Sequence, residues 1–171
     1  MRLGSYVANF YQLGYVTADM DRAVAQFRKQ MGIEEFLQFE TDSLVDYKDG
    51  QAKFRIRVAL ANLGERQVEL IQPIEGVTDF YFGGLDLTRS AAVLHHYGIL
   101  VEGPEENWTT MKSVVRDCGY PIVVQDRAPA GTEGTHFAYV DARADYGHYL
   151  EFLWRGPESQ RRHENMADQA R

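Results

Sequence analysis

Apolar positions along the chain switch between two periods, and the switches fall in the same order twice. Residues 11–17 (YQLGYVT) are rich in aromatic and β-branched side chains and predict a short buried strand. Met20, Ala23, Val24, Phe27 and Met31 then recur at helical spacing. Asp19 before them suits an N-cap, and Gly32 after them supplies a stop. Three strand-like runs follow, Glu35–Glu40, Lys53–Leu60 and Gln67–Gln72, separated by the turn-rich stretches TDSLVDYKDG and ANLGER. The unit reads β-α-β-β-β.

From Leu94 the order recurs. His95–Val101 is strand-like, and Gly103-Pro104-Glu105-Glu106 opens a helix whose apolar stripe is Trp108, Met111, Val114, Val115 and Cys118. That stripe places Cys118 in the core. Gly119 stops the helix, and Pro121–Gln125, His136–Asp141 and His148–Trp154 read as strands. Residues repeat along with elements. Gln12-Leu13-Gly14-Tyr15 matches His96-Tyr97-Gly98-Ile99 at a separation of 84 residues, and Val68-Glu69-Leu70-Ile71 matches Leu150-Glu151-Phe152-Leu153 at 82. The expected organisation is one α+β domain made of two β-α-β-β-β modules, about 10–73 and 94–155. A connector, 74–93, carries aromatics that need packing, over a cleft for example. The polar tail, 156–171, is expected to fray.

Composition narrows the function classes. The chain has 171 residues, a 44% apolar fraction, 25 acidic side chains against 18 Lys plus Arg, and a formal net charge of −7. A core of that size excludes disorder, and the acidic balance argues against nucleic acid as a partner. One cysteine, Cys118, excludes an internal disulfide and a CxxC site. No apolar run approaches the roughly 18 residues of a membrane helix, and MRLGSYVANF lacks a signal-like stretch, so the expectation is a cytoplasmic protein without membrane contact.

Four polar residues interrupt strand patterns at equivalent places in the two modules: Gln12, Glu69, His96 and Glu151. Side chains alternate along a strand, so Val68 and Leu70 face away from Glu69, and Leu150, Phe152 and Trp154 face away from Glu151. If the apolar faces meet the helices, both glutamates turn to the concave side. A desolvated carboxylate needs a partner charge or a cation. Two carboxylates, an amide and an imidazole converging by pseudosymmetry suit a divalent metal with open positions. The plainer alternatives are a solvent-facing strand end for Gln12 and outward-pointing glutamates on edge strands. His95 is then a turn or surface residue, His136 and His148 are structural, and His163 belongs to the tail. In KFRIRVAL the basic residues alternate with Phe54, Ile56 and Val58. If the latter meet the helix, Arg55 and Arg57 face the cleft and can hold an anionic substrate group; otherwise they lie on a solvated face. Phe137, Tyr139, Tyr149 and Leu153 share the parity of a cleft wall.

The openings QLGYV and HYGILV, the VELIQP run and the GHYLEFLW ending resemble the glyoxalase I / vicinal oxygen chelate superfamily, which includes bleomycin-resistance proteins and dioxygenases. The resemblance covers about residues 10–155. It implies a curved eight-stranded mixed sheet around a metal cleft, with Gln12, Glu69, His96 and Glu151 as ligands. A Gln/Glu/His/Glu set is similar to that of the zinc glyoxalase I enzymes, so zinc is the first expectation, with nickel, cobalt, iron, manganese or magnesium as other ions. The implied activity is a lyase or isomerase that abstracts a proton beside a metal-chelated carbonyl of a small-molecule substrate, with Glu151 as base and Glu69 serving the opposite face. A metal-free, bleomycin-resistance-like binding protein is the alternative. A dioxygenase is a second alternative, although its His/His/Glu pattern is not matched at Gln12. The resemblance also implies a homodimer.

Overall fold

The computed structural model describes residues 2–169, and the side chains of 2–165. Met1 of the N-terminal stretch and the last residues of the polar tail lie outside the described residues. A short helix α1 (Leu3–Val7) precedes the first module, which comprises β1 (Phe10–Val16), α2 (Met20–Met31), β2 (Leu37–Tyr47), β3 (Gly50–Leu63) and β4 (Arg66–Gly76). A five-residue helix, α3 (Thr78–Phe82), lies in the connector. The second module comprises β5 (Val93–Leu100), α4 (Glu106–Asp117), β6 (Ile122–Asp126), β7 (Thr135–Asp141), a short α5 (Arg143–Tyr146) and β8 (Tyr149–Arg155), followed by α6 (Pro157–Gln169).

The strands close into a mixed barrel in the order β1-β4-β3-β2-β6-β7-β8-β5. Within each module the first and last strands pair in parallel, β1 with β4 and β5 with β8, and the remaining neighbours are antiparallel. The modules join through the long antiparallel β1–β5 seam and through a short one, where Val45, Asp46 and Tyr47 pair with Asp126, Gln125 and Val124. Residues 37–44 of β2 therefore have a neighbouring strand on one side only.

Local sequence accounts for the helices. Asp19 accepts a hydrogen bond from the Arg22 backbone N–H at 3.0 Å, and Gly32 ends α2 at φ 69°, where a side chain would be strained. Met20, Ala23, Val24 and Phe27 pack on Ala59, Ala61, Val68 and Leu70. Trp108, Met111, Val114 and Val115 of α4 pack on Leu150, Phe152 and Trp154. The apolar faces of β4 and β8 thus meet the helices, and the opposite parity lines the barrel.

Several expectations are corrected. TDSLVDYKDG is mostly strand: its residues alternate through Tyr47, and the chain turns only at Lys48 and Asp49, where Lys48 takes φ 52°. Cys118 is exposed, because α4 ends at Asp117 and the stripe ends with it. The tail is helical through Gln169, and its start docks on the loop before β7, with Thr135 and Ser159 hydroxyls 2.6 Å apart. Phe80 and Tyr81 of α3 enter the barrel and pack among Val45, Phe54, Tyr139 and Tyr149. The connector fills the interior instead of covering it from outside.

Candidate metal centre

Two glycines organise the site. Gly14 on β1 lies between Glu69 on β4 and His96 on β5, and Gly98 on β5 lies between Gln12 on β1 and Glu151 on β8. β1 and β5 therefore each contribute one polar side chain and one glycine to a pseudo-twofold arrangement, and β4 and β8 each contribute a glutamate. A Cβ on Gly98 would stand 2.7 Å from Gln12 Oε1, and one on Gly14 would overlap the His96 imidazole. The repeated Gln-x-Gly and His-x-Gly pairs record this packing: each polar side chain occupies the space that the other strand's glycine leaves.

Glu69, His96 and Glu151 each present one potential ligand atom, and these atoms lie within 4.8 Å of one another. His96 is fully buried, and its Nε2 is 3.3 Å from Glu69 Oε2 and from Glu151 Oε2. Neither approach has hydrogen-bond alignment, so Nε2 is buried without a bonded partner among the described residues, as is Gln12 Oε1. Gln12 Nε2 donates to Gln67 Oε1 at 2.7 Å, which fixes the amide and aims its oxygen away from that pair. Buried polar atoms ordinarily find partners. Two buried polar atoms without partners, one of them within ligand reach of two carboxylates, make a set of side chains that fits a divalent ion.

Electrostatics agree with that fit. Burial raises the Glu69 carboxyl above the ordinary range against the pull of His96, and the Glu151 charge raises it further. Burial alone would lower His96, but the two carboxylates outweigh it and lift its pKa to about 9. Burial also raises the Tyr139 phenol, which pairs across the strands with Glu151, and that carboxylate pushes it further up. Two negative groups sharing one low-dielectric site would both be stabilised by a dication.

The other predicted residues divide. Phe137, Tyr139 and Tyr149 face the barrel interior with Phe54, Ile56 and Val58. Arg55 and Arg57 do not reach the site. Arg55 pairs with Glu75 at 2.7 Å, and Arg57 with Asp21 at 3.3 Å and Gln38 at 2.9 Å, all at the surface. The reason is that Phe54, Ile56 and Val58 meet the apolar interior, while α2 takes Ala59 and Ala61 from the other parity. Register sets which β3 residue corresponds to Tyr139 of β7. Glu69 pairs with Leu60 and Glu151 with Tyr139, and the β7–β8 connection is longer because it contains α5. On the concave face Leu60 is followed by Leu37, which is 49% exposed, so the first module's side of the site opens to solvent.

Other histidines are also relocated or explained. His95 is buried instead of lying at the surface, packed between Phe80 and Tyr149. His136 is structural: its nitrogens meet Asp126 at 2.9 Å and Glu105 at 3.0 Å, and its ring stacks on Trp108. His148 packs against Tyr97 with its ring tilted by 39°, and His163 is half-buried on α6. Sequence reasoning misses Gln67, which holds the Gln12 amide, and the burial of His95 beside His96. Gln67 shares the parity of Glu69, which was the available signal; His95 gave none.

A family model described as the glyoxalase/bleomycin resistance protein/dioxygenase superfamily matches residues 11–139. No curated protein matches the sequence. Similar solved structures include a methylmalonyl-CoA epimerase from Mycobacterium tuberculosis, at 18% identity and TM-score 0.59, covering 94% of this chain and 97% of that one. A methylmalonyl-CoA epimerase in complex with methylmalonyl-CoA and ammonium aligns at 17% identity and TM-score 0.53, covering 86% and 94%. A Streptomyces coelicolor methylmalonyl-CoA epimerase variant in complex with 2-nitronate-propionyl-CoA gives the same identity, score and coverage. At these identities the likeness is one of fold. Fold, paired modules and family match converge: the chain belongs to the glyoxalase/bleomycin resistance protein/dioxygenase superfamily.

Proposed function

We propose that this protein is a divalent-metal-dependent isomerase or lyase that removes a proton next to a carbonyl of a small-molecule substrate. The observation that carries the reading is the convergence of Glu69, His96 and Glu151 beside the orphaned oxygen of Gln12. A binding protein gains nothing from two carboxylates buried against one imidazole, because their desolvation is costly without a cation. Gln12, Glu69, His96 and Glu151 would hold the ion, and zinc suits the nitrogen and oxygen donors. When bound, a divalent ion supplies Lewis acidity toward a substrate oxygen and so acidifies the adjacent C–H.

The chain's own groups do the rest. Glu151 is the base, and Tyr139 is its cross-strand partner on β7. Glu69 stands across the pseudo-twofold axis and can return a proton from the other side, which an epimerisation needs. Methylmalonyl-CoA epimerases among the similar folds make that reaction one candidate, with a glyoxalase I-type isomerisation as the other. Leu60 and Leu37 offer an apolar wall beside Glu69 for the substrate's non-reacting part.

The test is solvent deuterium exchange at the acidic carbon of hydroxy-ketone, thioester and 2-oxoaldehyde-adduct substrates, comparing wild type with Glu151→Gln at matched metal content. The amide retains an oxygen but accepts no proton at neutral pH, so exchange should fall roughly 10²–10⁴-fold. Equal rates would move the base to Glu69. No exchange by either protein would favour a binding function.

A further inference from the structure

The chemistry above leaves one buried imidazole without a task. His95 is 2% exposed, and its ring lies 4.7 Å from Tyr149, 5.0 Å from Phe80, 5.5 Å from Tyr81 and 5.9 Å from Tyr139, centroid to centroid. Its Nδ1 is 3.2 Å from Nδ1 of His96, and its Nε2 is 3.5 Å from the backbone carbonyl oxygen of Phe80.

These two contacts admit one proton arrangement for a neutral ring. The Phe80 carbonyl only accepts, so His95 carries its proton on Nε2 and donates it there. His95 Nδ1 is then a bare acceptor. Two ring nitrogens at hydrogen-bond distance need one N–H and one lone pair, so the N–H belongs to His96 Nδ1. In the neutral form that a metal ligand requires, His96 then has its lone pair on Nε2, the atom that faces Glu69 and Glu151. The reverse arrangement would put a proton on His96 Nε2 and remove it as a ligand.

We infer that His95 is a positioning residue of the metal centre, fixing the tautomer and ring orientation of His96 and tying both to the Phe80 carbonyl of α3. The inference rests on the proposed metal-dependent function. A histidine ligand commonly donates its second N–H to a carboxylate, a carbonyl or water. Here a second imidazole takes that place and relays the orientation to the helix that fills the barrel. The same ring is held by four aromatic neighbours, so His96 is braced through His95 by the interior packing.

Two measurements test this. In zinc-loaded wild-type protein, ¹⁵N chemical shifts and long-range couplings of the imidazoles should show His96 protonated at Nδ1 and His95 at Nε2. A proton on His95 Nδ1 or on His96 Nε2 would overturn the inference. In titrations with zinc alone, His95→Phe keeps the ring's shape and removes both hydrogen bonds, and its affinity should fall roughly 10–100-fold. The absorption bands of its cobalt-loaded form should also shift. His95→Gln, which has an oxygen for His96 and an N–H for Phe80, should recover most of the affinity. Wild-type affinity and cobalt bands in His95→Phe would overturn the role. If that variant does not fold, the wild-type proton positions decide alone. Absence of a stoichiometric zinc site in the wild-type protein would instead refute the metal centre, and His95's role with it.

Discussion

The imidazole of His96 lies over Gly14 of the opposite module, in the space a Cβ on that residue would take. The contact joins the two halves of the chain at the site and makes the glycine part of it. Gly14→Ala must push His96 off its place, since the overlap is with the ring itself. The expected result is a loss of about 1–3 kcal/mol of stability together with loss of tight zinc binding. Gly98→Ala meets Gln12 at both Oε1 (2.7 Å) and Cβ (2.8 Å), and the Cβ is held by the backbone, so this variant should also lose stability and zinc affinity, though less than Gly14→Ala, whose added atom overlaps the whole ring. Thermal denaturation and zinc titration of the two variants check this ordering; equal effects would contradict it.

Stability of the metal-free protein should fall with rising pH. His96 has a folded pKa raised from 6.5 to about 9, so its contribution is fully present below about 6.5 and is lost as pH rises through about 9. The Glu69 carboxyl is also raised, so the folded state resists its ionisation and loses stability once pH passes the ordinary carboxylate value. Both effects act in one direction, with His96 worth on the order of 3 kcal/mol. Chemical denaturation in the presence of a chelator at pH 6 and pH 9 should show the decline. Saturating zinc should reduce it. A flat or rising profile would mean that the three side chains are not coupled as described.

Arg55→Ala and Arg57→Ala should leave zinc affinity unchanged and alter stability by less than about 1 kcal/mol each, as for other exposed ion pairs. Substrate affinity should be equally insensitive. A large loss of substrate binding would return these residues to the site.

Phe80→Ala should cost about 3–5 kcal/mol, because the side chain is 4% exposed and fills the barrel between Tyr139 and Tyr149. Urea denaturation measures it. A cost below about 1 kcal/mol would show that α3 is not part of the core.

Much of this architecture is legible in the sequence because the barrel repeats a simple rule. Helix-facing residues on β4 and β8 alternate with inward ones, so placing Val68 and Leu70 against α2 also turns Glu69 inward. The rule misleads on β3, where both faces are apolar: Phe54, Ile56 and Val58 face the interior and Ala59 and Ala61 the helix. Periodicity alone does not say which greasy face is which, and Arg55 and Arg57 were misplaced with it. His95 was hidden for another reason. It follows Leu94 and precedes His96, and a register irregularity between Gly14 and Tyr15 in the β1–β5 pairing breaks regular alternation opposite these residues. Phe80 and Tyr81 could not be placed from sequence, because a five-residue helix has too few positions to show a period.

If Gln12, Glu69, His96 and Glu151 form one metal site, elemental analysis after incubation with zinc, nickel or cobalt and removal of free ion should find about one divalent ion per chain in the wild-type protein. Glu69→Ala and Glu151→Ala should hold substoichiometric metal, with the fold retained by circular dichroism, since each variant loses one ligand and one compensating charge. Wild-type protein that retains none of these ions, or variants that keep the full complement, would contradict that site.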